Sequence, residues 1–382
     1  MPKIGNLFIL WPMLVTTLAE NFSKALTIAS RFVGGKVQLP VLANILLKTD
    51  KNKLVISATN LETSISISIG AKIEEEGEIT VPGKTICDLV NSLPSGQLTL
   101  KEEKEKVLIK TPSFESTILA ANASDYPSIP DKGSGKVYSF PSEVVENVIK
   151  KILFSVSSDE TRPVLTGVLL ILRDKEAVFV STDGFRLSQK SIKTEKMDQD
   201  EEVKLIIPKN TFSELVRISE GSEKINFSFN KNENQIIFTV GDCILSSRII
   251  QGDFPDFEKI IPKNPVINID IDKEELIRSV KLASVFAREA ANVIKVNVLK
   301  NSVDISAEST KSGNQKSVID AKVEGDSELL VAYNYRFIEE FLGVVGGESV
   351  KIGLTDANIP GIFLDPKDLD YLHIIMPIKL TN

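Results

Sequence analysis

The chain has 382 residues, of which 42% are hydrophobic, and this is enough apolar material for a buried core in each of two or three domains. Its 45 basic and 52 acidic residues give a net charge of -7, opposite in sign to the surface that usually meets nucleic acid. A nucleic-acid partner would therefore need a local basic patch. No segment reaches the roughly twenty apolar residues of a membrane span, so the composition indicates a soluble globular protein without a membrane partner.

The first predicted elements are a helix and a hairpin. One helix face carries Phe22, Ala25, Leu26, Ala29 and Val33, with Lys24, Thr27 and Arg31 opposite. The alternating stretch "VISATNLETSISISIG" predicts two strands of a hairpin. A second helix follows, with its apolar stripe at Ile86, Leu89, Val90 and Leu93.

The same elements recur further along the chain. Apolar stripes predict helices at Val145, Val148, Ile149 and Ile152, and again at Leu276, Val280 and Ala283. "INFSFNKNENQIIFTV" predicts another hairpin. The segments "VPGKTICDLVNSL", "IPKNTFSELVRIS" and "VAYNYRFIEEFLGV" begin at Val81, Ile207 and Val331, which are 126 and 124 residues apart. A long, constant period of this kind indicates a repeated domain.

The repeat predicts an α+β fold of three similar domains, each with two helices covering one face of antiparallel sheet. We expect the domains at residues 1–135, 136–263 and 264–382. The "GSGK" at 133–136 resembles a phosphate-binding loop, but Pro130 stands near the position of its first glycine and Val137 replaces the Ser/Thr. A Gly/Ser linker between domains is the better interpretation.

The residues for catalysis or metal binding are sparse. Cys87 and Cys243 lie in separate segments without metal-ligand spacing, and we expect both to be buried thiols in a reducing cytoplasm. A Ser-His or Cys-His arrangement could form only around His373, which lies in a strand-like run where a structural histidine is expected. The sequence therefore predicts a protein that is not an enzyme and has no cofactor or metal.

Seven motifs in chain order carry a resemblance to one family. They are "GGKVQLPVLAN" (34–44), "RPVLTGVLL" (162–170), "VSTDGFRLS" (180–188), "GDFPDFEKIIPKN" (252–264), "AYNYRF" (332–337), "GLTDA" (353–357) and "IIMPIKL" (374–380). Together they resemble the bacterial DNA sliding clamp, the beta subunit of DNA polymerase III, from about Met13 to Leu380. Met13 matches the family's usual start, so residues 1–12 are expected to be an additional segment.

The resemblance implies two chains joined head to tail in a closed ring around duplex DNA, with twelve helices lining the hole. The implied partners are a second copy of the chain, double-stranded DNA without sequence preference, the clamp loader, the replicative polymerase alpha subunit, and other polymerases and repair proteins with short Leu/Phe-containing motifs. Basic residues inside the ring would contact phosphates: Lys24, Arg31, Lys36, Arg162, Arg278, Lys281 and Arg288. The alternative is that these are ordinary solvated helix faces, and Glu143 and Glu146 weaken the pattern in the second repeat.

The resemblance also implies a groove for partner peptides between the second and third domains. Its second-domain side would be Leu165, Thr182, Gly184, Phe185, Arg186, Leu187, Pro255, Lys259 and Ile260, and its third-domain side Asn334, Phe337, Pro360, Ile374, Ile375, Met376, Pro377 and Ile378. From sequence alone, "IIMPI" also fits a final core strand and 182–187 a tight turn. Phe185 stands where the family often has histidine.

The subunit interface implied by the resemblance pairs an edge strand of the first domain with an edge strand and helix of the third. Phe114 would then meet Val285 and Phe286 of the second chain, although each could equally be a core residue. Two hypotheses remain: a ring-shaped processivity factor, or a three-domain scaffold or adhesion-like protein that never encircles nucleic acid. Ring closure distinguishes them.

Overall fold

The computed structural model describes residues 13–34, 39–130, 136–194, 202–230, 233–325 and 328–380. The predictions for residues 1–12, for Lys36 and for most of the "GSGK" stretch lie outside the described residues. The chain forms two compact units, one of Met1–Val145 with Ser213–Ile249 and one of Glu146–Phe212 with Ile250–Asn382.

The first repeat contains the predicted helices and hairpin. Helix α1 buries the predicted stripe from Phe22 to Ala29, whereas α2 ends at Asn91, so that Leu93 lies beyond it and Cys87 joins the buried face instead. The elements are β1 Leu14–Leu18, α1 Ala19–Ala29, β2 Asn44–Asp50, β3 Lys53–Thr59, β4 Thr63–Gly70, β5 Lys72–Glu75, β6 Glu78–Pro82, α2 Gly83–Asn91, β7 Gln97–Glu102, β8 Lys106–Thr111, β9 Phe114–Leu119 and β10 Ala121–Asn122.

The second repeat follows the same order. The predicted stripe of its first helix is buried, because its apolar residues recur at helical spacing and so share one face. The elements are β11 Tyr138–Pro141, α3 Ser142–Ile152, β12 Gly167–Arg173, β13 Glu176–Thr182, β14 Arg186–Lys193, β15 Val203–Pro208, α4 Lys209–Ser219, β16 Lys224–Asn230, β17 Gln235–Val240 and β18 Cys243–Arg248.

The third repeat completes the pattern. In its first strand Ile267, Ile269 and Ile271 are buried and alternate with exposed or half-buried polar residues, as a strand with one core face requires. The elements are β19 Ile267–Asp272, α5 Lys273–Ala287, β20 Val293–Val298, β21 Ser302–Ser309, β22 Gly313–Glu324, β23 Leu329–Asn334, α6 Tyr335–Leu342, β24 Ser349–Leu354, β25 Gly361–Leu364 and β26 Tyr371–Ile375. The predicted α+β class with a threefold repeat is confirmed.

Sheets run from one repeat into the next within each unit. In the first unit, β4 pairs with β18, which gives a nine-stranded sheet, while β9 forms one edge of a separate five-stranded sheet. In the second unit, β14 pairs with β26 within a twelve-stranded sheet. The first eight residues of β22, 313–320, pair only with β21 among the described strands, since β19 pairs with its last four residues.

The prediction for the two cysteines is correct for one of them. Cys87 is buried, but Cys243 is only half-buried, because it opens β18 next to a turn. Burial raises the pKa of both thiols, so both are protonated near neutral pH.

Candidate peptide-binding groove

A tight turn between β13 and β14 presents the first part of the candidate groove. The Thr182 hydroxyl donates to the Arg186 carbonyl oxygen at 2.6 Å and accepts from the Gly184 amide at 3.0 Å. One Asp183 carboxylate oxygen accepts from the amides of Phe185 (2.9 Å) and Arg186 (3.0 Å). Gly184 has φ +94°, a conformation that side chains disfavour. The turn is thus fixed by its own side chains and leaves the Phe185 ring 61% exposed.

Arg186 lies under this turn and is 8% exposed. Its guanidinium lies between two rings, 4.4 Å from the centre of Phe337 and 5.3 Å from that of Phe154. It forms ion pairs with Asp183 (3.1 Å) and Glu340, and donates to the Phe154 carbonyl oxygen at 2.6 Å. Arg186 therefore joins the turn, α6 and the short segment after α3 from within, and supports the groove rather than facing a ligand.

Pairing of β14 with β26 brings the two predicted sides of the groove together. Leu187 pairs with Ile374, and both side chains are buried in one cluster, whereas Ile375 belongs to the core of the third repeat. The Met376 amide donates to the Phe185 carbonyl oxygen at 2.8 Å, which continues the pairing by one residue. Met376, 37% exposed, thus lies beside the exposed Phe185.

The remaining predicted groove residues differ in exposure. Pro255, Lys259 and Ile260 are exposed, and Lys259 forms an ion pair with Asp256 at 2.6 Å. Half-buried residues are Asn334, Phe337, Pro360, Pro377 and Ile378, while Leu165 and Thr182 are buried. Both ordinary interpretations hold for part of the set, since 183–185 form a tight turn and Ile374 and Ile375 end a core strand. The exposed large apolar residues of the set are Phe185, Ile260 and Met376, which we call the apolar rim of the groove.

His373 is fully buried next to this region and has no path to a substrate. Its Nδ1 lies 2.8 Å from the Ser188 hydroxyl, which in turn lies 2.8 Å from the Ser155 hydroxyl. Among the described residues its Nε2 has no hydrogen-bond partner. Burial lowers the pKa of His373 to about 3, so its imidazole is neutral at physiological pH.

The predicted DNA-contacting residues lie on several elements. Lys24 is exposed on α1, and Arg31 forms an ion pair with Glu214 at 3.1 Å. Arg278 and Lys281 are exposed on α5, and Arg288 follows that helix.

Arg162 lies in a loop and not on a helix face. It forms an ion pair with Asp159 at 2.8 Å and donates to the Asp183 carbonyl oxygen at 3.3 Å. A Cβ on Gly184 would come within 3.1 Å of its guanidinium. This position, beside the turn of the candidate groove, favours a supporting role there over the predicted DNA contact.

The predicted interface residues lie on an edge strand and on a helix. Phe114 opens the edge strand β9. Val285 is 59% exposed on α5 and Phe286 is half-buried against the core of the third repeat. Leu282 on α5 and Val318 on β22 are also exposed, and this helix packs against this strand.

Sequence inspection missed the partners of Arg186. Glu340 and Phe154 are 154 and 32 residues away from it, so no local spacing identifies them. In the described part of the chain, no helix is long and apolar enough to cross a membrane, and no group of three or more His, Cys, Asp or Glu side chains is placed to hold a metal.

Comparison with known proteins identifies the same family in all three repeats. Three family models match it, describing the N-terminal, central and C-terminal domains of the DNA polymerase III beta subunit, at residues 13–130, 139–256 and 258–379. The beta sliding clamp of Staphylococcus epidermidis is 28% identical over 376 residues, covering 95% of this chain and 98% of that protein.

Solved structures show the same fold. The DNA polymerase sliding clamp from Bacillus subtilis aligns with a TM-score of 0.92 at 23% identity, over 97% of this chain and all of that one. The DNA polymerase III beta subunit from Thermotoga maritima aligns with a TM-score of 0.88 at 25% identity, with the same coverage. Because three consecutive domain models of one protein match in order, the chain belongs to the DNA polymerase III beta subunit family, the bacterial DNA sliding clamps.

Proposed function

We propose that this chain is a non-catalytic processivity factor that closes as a homodimeric ring around duplex DNA and tethers polymerases to it. The observation that carries the proposal is the run of three matching domains from residue 13 to 379, because the sliding-clamp family is defined by these three domains in this order. The scaffold hypothesis has no comparable support.

Two unpaired strand edges support ring closure. Strand β9 is the edge of its sheet, and residues 313–320 of β22 have a free side among the described strands. A free edge offers backbone donors and acceptors to a strand of a second copy. The exposed Leu119 on β9 and Val285 and Val318 near β22 would become buried in that contact, which suits an interface better than a free surface.

The basic residues support sequence-independent contacts with DNA. Two chains carry 2 × -7 = -14 charges, so duplex DNA would be repelled except where cations cluster. Lys24, Arg278, Lys281 and Arg288 are exposed, and we assign them to the inner face of the ring. Phosphate contacts of this kind weaken with salt and carry no sequence preference, which is compatible with sliding.

The apolar rim of the groove supports tethering. Phe185, Ile260 and Met376 offer adaptable apolar contact surface to short peptides with Leu and Phe anchors. We assign this site to the replicative polymerase alpha subunit, the clamp loader, and other polymerases and repair proteins. Phe185 favours partners that bring an apolar or aromatic side chain to this point of the rim.

Ring closure is tested by native mass and by loading. The assembly should have a mass of about twice 42.0 kDa. With a clamp loader and ATP, the protein should stay on nicked circular DNA and leave when the circle is cut. A monomer in solution, or equally fast loss from intact and cut DNA, would contradict the proposal.

A further inference from the structure

A second cavity lies near the candidate groove, between residues 261–265 and the outer face of the third repeat's sheet. Its volume is about 460 Å³, which is in the range of ligand pockets. Residues 261–265 come close to the sheet at Gly353, where an added Cβ would lie 3.0 Å from the Pro265 ring. We call this cavity the linker cleft, because residues 261–265 link the second repeat to the third.

One side of the linker cleft is apolar and continuous with the groove. Ile261, Leu364 and Leu372 line the cleft and pack on the buried cluster that contains Leu187 and Ile374. The cleft therefore borders the buried cluster beneath the candidate groove. A peptide chain that leaves the groove across β26 and β25 reaches the cleft, because Ile362 on β25 lines the cleft and pairs with Ile374.

The other side of the linker cleft is charged. Strand register places Lys351, Asp270 and Lys322 side by side on β24, β19 and β22. Lys322 forms an ion pair with Glu324 at 2.7 Å, and their hydrogen bond lowers the pKa of Glu324.

Two lysines of the cleft form no close ion pair among the described residues, although the charge of Lys351 contributes to the lowered pKa of Glu324. Lys263 and Lys351 are exposed, and within the described ranges neither has a carboxylate within 4 Å. The cleft is lined by three lysines and by two acidic residues, Asp270 and Glu324. It is therefore net positive, on a chain of net charge -7. Its charge complements an acidic segment.

The distance between the two sites fits a continuous peptide. Ile374 pairs with Ile362, and Ile362 pairs with Gly353, so Ile374 and Gly353 lie two strands apart. At about 4.8 Å per strand this is roughly 10 Å, which an extended chain spans in about three residues. Lys351 lies two positions further along β24, so the diagonal path from Ile374 to Lys351 takes about one more residue of an extended chain.

We propose that the linker cleft binds the segment flanking the anchor residues of a docking peptide. An apolar side chain would pack against Leu364 and Leu372, and an acidic side chain three or four residues from the point where the peptide crosses β26 at Ile374 would meet Lys351 and Lys263. This inference rests on the proposed function, because it concerns the same peptides.

Two synthetic peptides test the proposal by fluorescence anisotropy. One peptide carries only the Leu and Phe anchors. The extended peptide also carries an apolar residue and two glutamates, which stand three and four residues from the anchors. It is made in two versions, one extended at each end of the anchor segment. On the unmodified protein, one extended version should bind about three- to tenfold more tightly, and the gain should shrink in high salt. In Lys263→Glu with Lys351→Glu the gain should vanish while the short peptide binds as before. Lys300→Glu, an exposed charge change elsewhere in the unit, should keep the gain.

The outcomes separate the two proposals. Binding of the short peptide with no gain from either extension overturns the linker cleft and leaves the groove standing. A gain that survives in the double variant places the acidic residues elsewhere and also overturns it. If neither peptide binds, the groove assignment itself fails.

Discussion

His373 is the only histidine of the chain, and its replacement should remove a pH dependence of stability. The imidazole is fully buried between the rings of Phe154 and Phe341, whose centres lie 5.4 and 5.3 Å from its own. Burial lowers its pKa to about 3. The folded protein therefore holds a neutral imidazole that the unfolded chain would protonate near its ordinary pKa of 6.5.

The sign and size of the effect follow from proton binding. Because the folded pKa is depressed, the unfolded chain takes up a proton as the pH falls below 6.5, while the folded chain does not until about pH 3. The stabilisation is present above pH 6.5 and is lost as the pH falls, at about 1.4 kcal/mol per pH unit. Between pH 7 and pH 5 the loss is about 2 kcal/mol.

Urea unfolding followed by circular dichroism at pH 7 and pH 5 measures this loss. Other titrating groups contribute equally to the parent protein and to His373→Gln, so the difference between the two isolates the histidine. The free energy of unfolding of the variant should fall by about 2 kcal/mol less between the two pH values. An equal fall in both proteins would refute the reasoning, as would a single histidine NMR signal titrating near pH 6.5.

Three further variants test the assigned surfaces. Met376→Ala with Pro377→Ala should weaken polymerase-peptide binding at least tenfold in anisotropy while native mass still shows the dimer; unchanged affinity would argue against the groove. Val285→Glu should shift the native mass toward the monomer, because it places a charge in an apolar contact, and an intact dimer would remove Val285 from the interface. Arg278→Glu with Lys281→Glu should shorten the residence of the loaded ring on DNA and flatten its salt dependence, and unchanged values would move the DNA contact elsewhere.

The sequence predicted the fold because each repeat is locally consistent. Apolar residues at helical spacing in α1, α3 and α5 predicted these helices, and the alternation in the β3–β4 and β16–β17 hairpins predicted these strands. The end of α2 was less predictable: Leu89 and Leu93 fit the helical stripe, but the helix ends at Asn91. Helix ends depend on tertiary contacts that periodicity does not contain.

For the candidate site, the sequence supplied a list of groove residues that stays a prediction, and it did not indicate which of them are buried. Arg186 and Met376 were assigned to one groove, yet the structure buries the first and exposes the second. The burial of Arg186 depends on Glu340, 154 residues away, and on two aromatic rings. The position of Arg162 depends likewise on the turn at Gly184. Contacts of this kind follow from tertiary packing, which no short motif encodes.

The first repeat contains the same turn without the groove's surface. The Thr59 hydroxyl donates to the Thr63 carbonyl oxygen (3.1 Å) and accepts from the Leu61 amide (3.0 Å), as Thr182 does in the second repeat. Leu61 has φ +74°, which parallels Gly184. The Arg248 amide donates to the Glu62 carbonyl oxygen at 2.8 Å, as Met376 does to Phe185. The backbone is repeated, but the exposed pair is charged in one copy and apolar in the other.

This internal comparison supplies a matched test of what makes the groove. Phe185→Glu with Met376→Arg gives the second turn the exposed pair that the first turn already holds with the same backbone hydrogen bonds, so the fold and the dimer should survive. Peptide binding should fall at least tenfold, because the apolar rim is replaced by charges that an apolar anchor would have to desolvate. Circular dichroism and native mass provide the control. Retained affinity in a folded variant would show that anchors bind elsewhere than at this rim.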